Sequence, residues 1–73
     1  MSARPSLAQV AANIDHVEAA ILGIEDANRV RLDRERAGKK TDGMAAFRQI
    51  RINGFREVLE TLRWLHGQME KRA

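Results

Sequence analysis

Gly38-Lys39-Lys40-Thr41 is the stretch of this chain that comes nearest to a chemical motif. A phosphate-binding loop needs a glycine five positions ahead of its Gly-Lys pair, a Ser or Thr directly after the lysine, and a strand leading in. Asp33 stands in the glycine's place and Lys40 in the hydroxyl's, so the motif is incomplete. The histidines are the next candidates. His16 lies beside Asp15 and Glu18, and His66 precedes Glu70 by one helical turn. Neither group completes a metal site on one helix, so an ion would have to bridge two helices. The chain has no cysteine, which excludes disulfides and thiolate zinc ligation. Both serines, Ser2 and Ser6, stand at the N-terminal end, where no plausible triad forms. These residues imply no enzyme, no metal and no cofactor.

Charge is the other chemistry on offer, and it is segregated. From Pro5 to Asn28 there is no lysine or arginine, while Asp15, Glu18, Glu25 and Asp26 are present. From Arg29 to Arg51 there are eight cations (Arg29, Arg31, Arg34, Arg36, Lys39, Lys40, Arg48, Arg51) against Asp33, Glu35 and Asp42. Such a cluster suits an acidic partner or a phosphate backbone. Nucleic-acid readers usually add stacking aromatics or a recognised motif. Trp64, Phe47 and Phe55 lie away from the centre of this segment, so nucleic-acid binding ranks second.

The elements that position these groups are helices. Leu7, Val10, Ile14, Val17, Ile21 and Ile24 are spaced alternately by three and four residues, the seam of a helix packed lengthwise on another. Phe55, Val58, Leu62, Leu65 and Met69 repeat the pattern near the other end, with Ile52 and Leu59 on its flank. Ser6 with Gln9 makes a capping box ahead of the first run, and Gly38 is suited to the C′ position after it. Thr41 or Asp42 is the next N-cap. The spacing predicts helix one over about 7–36, a loop over 37–42 and helix two over about 43–71, all within one domain of 73 residues. So short a loop makes the helices antiparallel. Gly23 and Gly54 interrupt these helices; they read as tolerated defects or as a point of close backbone approach, and a break at Gly23 would give three short helices.

Phe47, Ile50, Gly54, Thr61 and Trp64 form a second stripe on helix two, while on helix one Ala8, Ala11, Ala12, Ala19, Ala20 and Ala27 flank the seam. One hairpin partner cannot cover both stripes. A core this small rarely supplies more than about 3–5 kcal/mol, which also favours assembly. The expected architecture is an all-α, coiled-coil-like antiparallel two-helix hairpin that dimerises into a four-helix bundle. The expected function is that of a small non-enzymatic interaction module, a regulator, inhibitor or adaptor of another protein. The core and dimer seam is assigned to Leu7, Val10, Ile14, Val17, Ile21, Ile24, Phe55, Val58, Leu62 and Leu65. Partner contacts are assigned to Phe47, Ile50 and Trp64, and to the cations Arg34, Arg36, Lys39 and Lys40. The alternative is a nucleic-acid-binding accessory protein that uses the basic tip.

The stretch from Ile14-Asp15 through Ile21-Leu22 to Lys39 is similar in rhythm to the first helix of the AroQ-type chorismate mutases. Ala11 and Asn28 stand where that family has arginines, so no residue role is carried over. The first residues lack a secretory hydrophobic block, and no apolar run approaches the ~20 residues of a membrane span, so a cytoplasmic protein is expected. The excess of arginine over lysine and the many alanines fit a GC-rich bacterial, phage or plasmid genome.

Overall fold

Ser6 starts the first helix by the reciprocal hydrogen bonds of its capping box. Its hydroxyl accepts from the Gln9 backbone N–H at 3.1 Å, and its own N–H donates to Gln9 Oε1 at 2.8 Å. Two otherwise orphaned donors at the helix start are thereby satisfied. Helix α1 then runs unbroken over Leu7–Arg36. At 1.5 Å per residue it is about 45 Å long. Ser6→Ala should cost about 1 kcal/mol, read as a lower urea midpoint at unchanged slope, whereas Asn13→Ala on the exposed surface should move it far less. Equal shifts would show that the cap does not hold the helix end.

The computed structural model describes residues 4–40 and 43–72. Helix α1 ends in the hydrogen bonds of a Schellman motif. The Gly38 N–H donates to the Glu35 carbonyl at 3.0 Å and the Lys39 N–H to the Arg34 carbonyl at 2.9 Å. Gly38 takes φ +76°, a conformation in which a side chain would be strained. Arg34 and Arg36 place their charges at the negative end of the helix dipole.

Helix α2 covers Ala45–Arg72. It starts two residues later than its sequence suggests, because Gly43 has φ +68° and cannot belong to a right-handed helix. Met44 occupies the capping position, its carbonyl accepting from the Arg48 N–H at 2.9 Å. The expected N-caps Thr41 and Asp42 lie outside the described residues.

The two helices pack against each other as an antiparallel hairpin, in an envelope of 54 × 23 × 15 Å. The seam of α1 is the expected one: Val10, Val17 and Ile21 are buried, with Leu7, Ile14 and Ile24 half-buried. The seam of α2 differs from the expectation. Ile52 and Leu59 are the buried residues, flanked by half-buried Phe55 and Leu62. Val58, assigned to the seam from sequence, is exposed. Rotating α2 to enclose Ile52 and Leu59 turns Val58 outward and brings Arg56 and Arg63 to the edge that faces α1. Gly23 does not break α1, and a Cβ added at either Gly23 or Gly54 meets nothing within 4 Å, so the helices do not use these glycines to approach each other.

One polar layer interrupts the apolar seam. Asn28 is buried on α1, and its Oδ1 accepts from Arg48 Nε at 2.9 Å. Asn28 follows Ile24 in the heptad, and Arg48 precedes Ile52. The apolar core therefore stops at the Ile24–Ile52 level, and the basic end of the rod is held by polar contacts.

Candidate protein-interaction surface

Helix α2 presents four large apolar side chains to solvent. Phe47, Ile50 and Trp64 are 61%, 64% and 65% exposed, and Val58 is 48% exposed. At about 100° per residue these four fall on the side of α2 turned away from Ile52 and Leu59. They span most of the helix length. Scattered exposed apolar residues are ordinary on a protein surface. Four on one face of one helix, with two aromatics among them, form a surface suited to burial in a complex.

The face is not wholly apolar: Glu57, seven residues from both Ile50 and Trp64, is exposed between them. Thr61 directs its hydroxyl back to the Glu57 carbonyl at 3.2 Å, which satisfies it within the helix. Gln49 Nε2 donates to Asn53 Oδ1 at 3.0 Å. Leu22 on α1 is as exposed as these residues and was not assigned to a site from sequence. It lies above a shallow groove lined by Glu18, Arg56, Glu60 and Arg63. The signal that could have found it was its position just off the α1 seam.

That groove marks the charged broad face of the hairpin. Arg56 pairs with Glu25 at 3.2 Å and Arg63 with Glu18 at 3.5 Å, both across the helices. They join the acidic half of α1 to two cations of α2. Their side chains are substantially exposed, so each pair contributes about 0–1 kcal/mol.

The predicted cationic residues are brought to one end of the rod. Arg34, Arg36, Lys39 and Lys40 are all exposed around the turn. Arg36 pairs with Asp33 at 3.8 Å, and Arg29 pairs with Asp26 a turn earlier. The structure does not bring Trp64 to this end: it sits more than four helical turns along α2 from Phe47. Phe47, Ile50 and Arg51 lie at the end of the stripe nearest the basic tip.

His66 approaches Glu70 at 3.4 Å on its own helix, and His16 is exposed on α1. Among the described residues no three His, Cys, Asp or Glu side chains gather as a metal site would require. No helix is long and apolar enough to cross a membrane. Comparison of the chain with protein families, with curated proteins and with solved structures finds no match.

Proposed function

We propose that this chain is a small non-enzymatic interaction module, a homodimer that regulates, inhibits or adapts another protein. The observation that carries the reading is the outward stripe of Phe47, Ile50 and Trp64, each more than half exposed along one helix. Aromatic side chains of this kind supply most of the energy of protein interfaces, where a few buried anchors dominate. A two-helix rod has no third layer with which to cover them, and another protein provides one.

A pull-down from the native host tests it, with the wild-type chain, Trp64→Ala and Ile50→Ala as baits at moderate salt. The wild-type chain should retain a specific protein, and loss of an anchor should lower its recovery by about tenfold or more. Retention undiminished by both substitutions would refute the reading.

The basic tip supports a second reading, an accessory role on nucleic acid. Eight cations lie between Arg29 and Arg51, and the exposed Lys39 and Lys40 are at the turn. Binding of a labelled DNA duplex would then fall steeply as salt rises and weaken when both lysines are replaced by glutamine. Binding that ignores salt, or the lysines, would exclude it.

A further inference from the structure

The hairpin has two broad faces, and they differ in chemistry. One is the groove spanned by the Glu18–Arg63 and Glu25–Arg56 pairs. On the other, a quarter-turn round each helix from the seam, lie Ala20 and Ala27 of α1 beside Phe47, Gly54, Val58 and Leu65 of α2. This face combines small residues, which let backbones approach, with large apolar ones, and carries Asn13, His16 and Arg51 among them. Gly54 is its most telling member. A Cβ there would meet nothing within 4 Å, so the single hairpin has no steric need for a residue that weakens its helix. A second backbone laid across Gly54 would supply that need.

Area and charge both point to a second copy of the same chain. A stable interface takes about 800 Å² from each partner. A face 54 Å long and 23 Å wide accommodates it. The rod is also dipolar. Residues 29–51 hold eight cations and three anions, whereas the rest of the chain holds five cations and seven anions. Two rods lying tip to base set each basic tip beside the more acidic body of the other. Two rods lying tip to tip would force the basic ends together.

We propose that two copies pack through this face in opposite directions, about a twofold axis perpendicular to the rod that passes between Gly54 and Val58. The result is an antiparallel four-helix bundle with one basic tip at each end. Phe47 of either copy then lies against Leu65 of the other, and Gly54 against Val58. Trp64 stays on the outer edge of α2, available to a different protein. The proposal rests on the reading of the chain as a self-associating module and adds the face and the direction.

Light scattering with a distance measurement between spin labels tests both additions. At micromolar concentration the wild-type chain should have twice the 8.3 kDa mass of one copy. Gly54→Glu and Val58→Glu should each raise the dimer dissociation constant at least about tenfold while helicity is kept, and Trp64→Ala should leave it unchanged. The chain has no cysteine, so Lys40→Cys gives a single label at the tip. With the axis at the Gly54–Val58 level, each label lies about 22 Å from it along the rod, so the two labels in the dimer should be about 45 Å apart. Monomers at all concentrations would overturn the proposal and the self-association it rests on. A dimer with its tip labels close together would overturn only the direction. A dimer untouched by Gly54→Glu and Val58→Glu, or broken by Trp64→Ala, would overturn only the face.

Discussion

Ile52→Ala is expected to leave the chain largely unfolded at room temperature. Ile52 is 1% exposed and is central to the small core formed with Val17, Ile21 and Leu59. Truncating a fully buried isoleucine costs about 2–5 kcal/mol, through lost burial and the cavity left behind. The whole net stability of a domain this small is about 3–5 kcal/mol. The chain has no cysteine for a disulfide, and among the described residues no cluster of side chains could hold a metal ion to make up the loss. Ile50, two residues away, is 64% exposed, and Ile50→Ala should cost the hairpin no more than about 0.5 kcal/mol. Circular dichroism of the two variants during thermal and urea denaturation separates them. Protein concentration must be held fixed, because association and folding are linked. Equal losses from the two substitutions would show that α2 presents a different side to α1.

Asn28→Ala is expected to cost about 1–3 kcal/mol, more than any surface ion pair of the hairpin. It removes the oxygen that receives Arg48 Nε at 2.9 Å and leaves a guanidinium group beside the apolar seam without that acceptor. The double replacement Asn28→Leu with Arg48→Leu should recover most of the stability, since apolar groups can replace a buried polar pair at little cost. It should also reduce the uniqueness of the packing. A buried asparagine fixes register because only one alignment satisfies it, and leucines would accept several. Urea midpoints give the first result. Broadened or duplicated amide resonances in the double variant would give the second, and a single sharp set would show that Asn28 does not set register.

The contrast between the two helices explains what could be read from sequence. In α1, Leu7 through Ile24 satisfies one heptad register, and Ala8, Ala12 and Ala19 dilute every competing stripe. Its buried face was therefore legible residue by residue. In α2, Phe55, Val58, Leu59 and Leu62 satisfy two registers one residue apart. Only the partner helix chooses between them. Enclosing Ile52 and Leu59 also sets Arg56 and Arg63 opposite Glu25 and Glu18, an advantage that a single-helix pattern does not contain. Asn28 and Arg48 were missed for a related reason. Each is an ordinary polar residue on its own helix, and their pairing depends on how the two helices are aligned. The outward placement of Phe47, Ile50 and Trp64 was legible, because no alignment of two helices encloses both stripes of α2. The late start of α2 was not, because the positive φ of Gly43 is a property of the turn as a whole.

The end of the apolar core at the Ile24–Ile52 level grades the rigidity of the rod. Toward the termini, an opening of the backbone must expose buried Val10, Val17 or Leu59 and is strongly resisted. Past the Asn28–Arg48 layer, the last turns of α1 and the first turn of α2 can fray while the core stays shut. The cationic end is thus the compliant end of the rod, and the opposite half is the stiff one.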